Sequence, residues 1–140
     1  MIYCDTSLLV NALTKEDRTA TAQQWLREHG DAELCISAWV DTEFSSALAM
    51  KLRGGVIDVV ERGRILTEWR GIVTHALTTV DVPVGAFALA ARFIDRDDIS
   101  LRASDALHVA VASLGGHSLA TLDRAMAEAA LAVGVAVEAV

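Results

Sequence analysis

Apolar positions along this chain fall into two alternating patterns. Short apolar runs with no internal period have the character of strands buried on both faces. Longer segments between them repeat their apolar residues every three or four positions, the spacing of one helix face. In order, the pattern predicts a strand over 2–5, helices over 6–13 and 17–29, and a strand over 33–37. A helix over 38–53 follows, ended by Gly54 and Gly55, and then a long amphipathic helix over 56–75. The remainder reads as a strand over 78–82, a helix from Pro83 to about Ile94, a helix over 104–114, a strand over 117–121, a helix over 123–132 and a strand over 135–139. Ala22, Trp25, Leu26 and His29 mark the inner face of the second helix. Val59, Val60, Ile65, Leu66, Trp69, Ile72 and Val73 mark that of the long one. Short strands alternating with helices predict an α/β fold with a mostly parallel sheet covered on both faces, as one domain over 1–140.

Composition narrows the class. Hydrophobic residues make up 53% of the chain and there is one proline, which excludes a disordered chain. No apolar run approaches the roughly 18 residues a membrane span needs, and the start lacks the basic and long apolar regions of a signal peptide. Cys4 and Cys35 both fall in predicted strands and read as free thiols of a cytoplasmic protein. They are too few for a structural zinc site. The net charge of −7 argues against binding nucleic acid through a broad basic face. It leaves room for a metal site or a basic partner.

Ligands of parallel sheets bind beyond the carboxyl ends of the strands. Asp5 ends the first predicted strand, and Asp123 follows the "HSLAT" strand. Each also suits a helix N-cap, which is the plainer reading of both. In "SAWVDTEFSSALAMKL", Val40, Phe44, Ala47, Leu48 and Lys51 form one stripe, and Glu43 lies on or beside it. Asp41 is turned roughly 160° from Glu43, at about 100° per residue, and reads as a solvated first-turn acid. Glu43 is then an acid held against apolar neighbours, or a glutamate at the solvent edge of the core.

The helix in "LRASDALHVAVAS" is apolar nearly all round and should be central. Ser104 reads as its N-cap and Asp105 as a first-turn acid, placed either for the helix dipole or for a site. His108 shares the side of Asp105 and reads as a packed, hydrogen-bonded histidine rather than a ligand. If Asp5, Glu43, Asp105 and Asp123 converge at one sheet edge, mutual repulsion should raise their pKa values. A hard divalent cation, Mg²⁺ or Mn²⁺, would resolve that conflict. Such ions serve phosphodiester hydrolysis.

The stretches "YCDTSLLVNAL", "SAWVDTEFSSAL", "LRASDALHVAVA" and "LATLDRAMAEAA" resemble the four acidic motifs of PIN-domain ribonucleases, in particular VapC-type toxins of toxin–antitoxin pairs. The resemblance spans about residues 2–135, with Ser104 where proline is frequent. It implies a PIN-like three-layer α/β/α sandwich. It implies Asp5, Glu43, Asp105 and Asp123 as the catalytic, Mg²⁺- or Mn²⁺-binding acids, with Thr6, Ser7 and Thr121 as orienting hydroxyls beside them. The implied reaction is endonucleolytic cleavage of structured RNA, transfer or ribosomal, leaving 5′-phosphate and 3′-hydroxyl ends. The implied partners are a VapB-like antitoxin, whose basic segment would compete for the acids, and a second copy in a homodimer. Arg18, Arg102 and Arg124 lie near the motifs and could meet phosphates, or are ordinary surface arginines.

Other classes fit less well. A haloacid-dehalogenase-like phosphatase needs a second Asp two positions after the first, where Ser7 stands. A receiver-like phosphoacceptor domain wants an early acidic pair, which is not evident. A metal-independent ribonuclease wants paired histidines, whereas His29, His75, His108 and His117 are scattered. The serious alternative is a catalytically inactive PIN-fold module acting through protein or RNA contacts.

Overall fold

The computed structural model describes residues 1–140. Twelve elements follow one another: β1 Ile2–Cys4, α1 Thr6–Leu13, α2 Thr19–Glu28, β2 Leu34–Ser37, α3 Ala38–Arg53, α4 Val59–His75, β3 Thr78–Val80, α5 Val84–Ile94, α6 Ala103–Gly115, β4 Ser118–Ala120, α7 Arg124–Ala132 and β5 Val137–Glu138. The strands form one parallel sheet in the order β3-β2-β1-β4-β5. The central strand β1 is sandwiched in register, Tyr3 lying opposite Cys35 on one side and Leu119 on the other.

Helices α1, α2, α3 and α4 pack among themselves, as do α5, α6 and α7. Right-handed crossovers place these two groups on opposite faces, which makes the α/β/α sandwich. The strands nearest the middle are mostly apolar, as sheets covered twice require, and β2 is buried along its whole length. Helix α6 is buried at every residue from Ala106 to Ala112, so it is the central helix its composition predicts. Phe44 of α3 stacks on Trp69 of α4, centroids 4.3 Å apart and planes 16° apart, which fixes these helices to each other. Cys4 and Cys35 are free and buried. No helix is long and apolar enough to cross a membrane.

Four local expectations need correction. The long helix begins at Val59, not at 56, because the Asp58 side chain accepts the Glu61 amide at 2.8 Å and caps it there. Val59 and Val60 are 73% and 82% exposed, so they do not belong to its buried face, which Ile65 and Trp69 carry. Ser104 is not the N-cap of α6. Arg102 holds that position with no side-chain cap bond, and the Ser104 hydroxyl donates to Asp105 Oδ1 at 3.2 Å. His29 lies just past the end of α2, stacked on Trp25.

Candidate active site

The sheet reverses its winding between β1 and β4, since chain order runs outward to β3 on one side and to β5 on the other. Loops leaving adjacent strands in opposite directions open a crevice at such a point. A cleft of about 410 Å³ lies there, and Asp5, Glu43, Asp105 and Asp123 all line it. Asp5 follows β1, Asp123 follows β4, Glu43 stands on the second turn of α3 and Asp105 on the first of α6. Four acids far apart in sequence are thereby collected at one sheet edge.

Asp5 is 1% exposed. Its Oδ1 accepts the Leu8 amide at 3.1 Å and the Ser7 hydroxyl at 2.9 Å, and its Oδ2 accepts the Thr121 hydroxyl at 2.9 Å. It caps α1 and lines the cleft, so the two readings of this residue are compatible. Burial pushes its carboxyl pKa up, opposed by His108 when its ring is protonated and by these hydrogen bonds. Asp123 does the same double duty, accepting the Met126 amide at 3.0 Å as cap of α7. Ser7 and Thr121 tie the two loops together. Leu122 N–H donates to Ser7 Oγ at 3.0 Å and Asp123 N–H to Thr121 Oγ1 at 2.9 Å.

Glu43 is held differently. Thr6 Oγ1 donates to its Oε2 at 2.5 Å, and His108 Nε2 lies 2.6 Å from the same oxygen. Burial works to raise its pKa, but the bonds from His108 and Thr6, together with the His108 charge when that ring is protonated, outweigh burial and hold the carboxyl below its ordinary value. The expected mutual elevation of the acids is therefore not what governs the site. Dehydration sets the shift at Asp5, and a buried imidazole reverses it at Glu43.

Of the three arginines near the motifs, Arg102 alone lines the cleft. Arg18 donates to the Leu122 and Val140 carbonyls, at 3.5 and 3.1 Å, and Arg124 pairs with Glu128 at 2.7 Å. The sequence reading did not single out Asn11 and Ser46, which also line the cleft. It also gave no hint that His108 bonds Glu43. The available signal was a lone polar residue at i+3 from Asp105 on an otherwise apolar helix.

No three of the acidic, histidine and cysteine side chains stand close enough to form a ready-made metal cage. The donor chemistry nevertheless suits a hard cation. A carboxylate offers about four acceptor sites. Protein donors take three at Asp5, two at Glu43 and one each at Asp105 and Asp123. Every acid keeps acceptor capacity, the cleft has room for water, and both thiols lie outside it, buried in the sheet. Mg²⁺ retains several waters and is held through only one or two carboxylates directly, so a loose ring of acids fits it better than a tight cage would.

A doubly wound α/β sheet with an acid-lined cleft at its switch point defines the general class. The chain belongs to the PIN domain family, whose model matches residues 2–131. Similar solved structures include FitAcB from Neisseria gonorrhoeae, with a TM-score of 0.74 and 19% identity over 99% of this chain and 97% of that one. VapBC2 from Rickettsia felis, solved with a DNA fragment from its promoter, gives 0.74 and 14% over 99% and 98%. VapC20 from Mycobacterium tuberculosis, a sarcin-ricin loop cleaving toxin, gives 0.71 and 17% over 96% of each chain. At these identities the likeness is one of fold. No curated protein matches the chain in sequence.

Proposed function

We propose that this chain is a Mg²⁺- or Mn²⁺-dependent endoribonuclease that cleaves structured RNA as the toxin of a toxin–antitoxin pair. The observation that carries the reading is the meeting of Asp5, Glu43, Asp105 and Asp123 in one cleft. Helix capping accounts for Asp5 and Asp123 singly, but it does not account for Glu43 and Asp105 facing the same cleft, which favours a metal site over an inactive binding module.

In this reading the four acids would hold the cation, one or two directly and the others through its waters, with Asp5 fixed by Ser7 and Thr121 and Glu43 by Thr6 and His108. The bound ion supplies charge neutralisation at phosphorus and a more acidic water. Arg102, at the mouth of the cleft, orients a phosphate of the RNA backbone through its guanidinium fork. A cleft carboxylate would take the proton of the attacking water, the new P–O bond forming as the P–O3′ bond breaks, and the leaving 3′ oxygen would take a proton from solvent water, giving 5′-phosphate and 3′-hydroxyl ends. Transfer or ribosomal RNA is the substrate class. In support, the similar VapC20 is a sarcin-ricin loop cleaving toxin, and exposed loops are where RNA bases are free to be read.

The partner in this reading is a VapB-like antitoxin with a basic segment that competes for the acids. The similarity to FitAcB and to VapBC2, the latter solved with a DNA fragment from its promoter, supports it. The apolar side chains of Val84, Phe87 and Ile94, exposed along α5, supply a surface for a homodimer. Free buried thiols accord with a cytoplasmic location. The test is sequencing of RNA 5′ ends after brief induction in a bacterial host. Recurrent new 5′-phosphate ends at one loop of a transfer or ribosomal RNA are expected. An unchanged end profile would reject the reading.

A further inference from the structure

We infer that His108 is a positioning residue: a buried chain from Ser37 through Tyr3 to His108 holds one oxygen of Glu43 and keeps the other available to the cation. This inference rests on the reading of Glu43 as a metal-site acid.

The chain is continuous. Tyr3 Oη lies 2.7 Å from Ser37 Oγ and 3.0 Å from His108 Nδ1, and His108 Nε2 lies 2.6 Å from Glu43 Oε2. Ser37, Tyr3 and His108 are each 1% exposed or less. Its proton order is dictated at the Glu43 end. Glu43 is an acceptor, so Nε2 must carry a hydrogen, because two facing lone pairs at that separation would repel. In the neutral ring Nδ1 is then an acceptor and takes the Tyr3 O–H. Burial keeps the phenol protonated, and Tyr3 accepts in turn from Ser37. Every polar atom in the chain is satisfied in one direction.

The arrangement is more than packing. The neighbours of His108 along α6 are alanine, leucine and valine, so an apolar residue would fill its place without any need for partners. Glu43 has a long side chain that is partly open to solvent, and ordering such a side chain costs rotamer freedom. Thr6 and His108 grip the same oxygen, Oε2, and no protein donor reaches Oε1. The carboxylate is thus ordered before a cation arrives, with one oxygen uncommitted. His108 need not touch the ion to affect it.

The test is Mn²⁺ titrated onto the purified full chain by calorimetry, comparing wild type with His108→Leu, His108→Gln and Tyr3→Phe. A glutamine amide places an N–H near the site of the ring Nε2–H, whereas leucine only fills the space. Wild type should bind Mn²⁺, His108→Leu should bind it roughly 10–100-fold more weakly, and His108→Gln should recover most of that loss. Tyr3→Phe should fall between wild type and His108→Leu, and it serves alone if the leucine variant does not fold. Equal affinity of wild type and His108→Leu, or leucine binding as well as glutamine, would overturn the inference while leaving the metal site standing. Absence of Mn²⁺ binding by wild type would instead overturn the site reading, and this inference with it. Nitrogen-15 NMR of the metal-free protein gives a second readout. A protonated Nε2 is expected, and a bare Nε2 would refute the chain.

Discussion

Glu43 and His108, 65 positions apart on α3 and α6, meet at 2.6 Å on the floor of the acidic cleft. The contact joins the two helical groups across the edge of the sheet. It also explains why Glu43, partly buried among acids, has a lowered rather than a raised pKa.

That lowering has a consequence for acid stability. A carboxyl with a folded pKa below its unfolded value adds stability above the unfolded value, about 4.3 for Glu, and loses it as pH falls through the folded one. Glu43→Gln should therefore cost about 1–2 kcal/mol near pH 7, where two bonds to a charged acceptor are weakened. The difference from wild type should shrink toward pH 3. Urea midpoints measured at both pH values check this.

Asp5 carries the opposite sign. Its folded pKa lies above the unfolded value, so its contribution is intact below about pH 4 and is lost as pH rises through the folded value. Asp5→Asn keeps the amide cap at Leu8 through Oδ1 and removes a dehydrated charge. The variant should melt at a temperature equal to or above that of wild type at pH 7, with the advantage gone in acid. Cleavage should fall on the order of 10³-fold, the scale of several kcal/mol of lost charge stabilisation. A large loss of stability would mean that Asp5 serves α1 alone.

The arginines should separate. Arg102→Ala should raise KM for RNA and make its salt dependence shallower, since it removes the proposed phosphate contact of a cleft-lining arginine. Arg124→Ala should leave KM within twofold, because that side chain is 90% exposed and paired with Glu128. Initial-rate kinetics on one RNA substrate distinguish them.

Packing at the α3–α4 contact offers a control remote from the chemistry. Trp69 is 1% exposed and stacked on Phe44, so Trp69→Ala should cost about 3–5 kcal/mol in thermal or urea unfolding. Its indole N–H also donates to Asp41 at 2.6 Å, which makes this acid an outer partner of the core rather than a purely solvated charge.

Much of this architecture was legible because the signals were local. The predicted helix over 38–53 coincides with α3, since the apolar stripe of Val40, Phe44 and Leu48 runs unbroken until Gly54. The acids at the ends of β1 and β4 follow from the parallel-sheet rule once those strands are placed. Errors arose where one cue had two meanings. Val59 and Val60 look like core residues, yet Asp58 and Glu61 form the start signal of a helix whose first turn faces water. Strand β5 is shorter than its predicted run over 135–139 and is limited to Val137–Glu138, where it pairs with β4 alone. The bond between His108 and Glu43 was not legible, since helical spacing relates residues three or four apart and says nothing about a partner from another helix.

The most direct measurement is cleavage of a structured RNA by the purified chain with Mg²⁺ or Mn²⁺, repeated in excess EDTA and again after Mn²⁺ is restored. The account predicts site-limited products with 5′-phosphate ends that vanish in chelator and return with the metal. Undiminished cleavage in EDTA, or no cleavage of any transfer or ribosomal RNA with either ion, would contradict it.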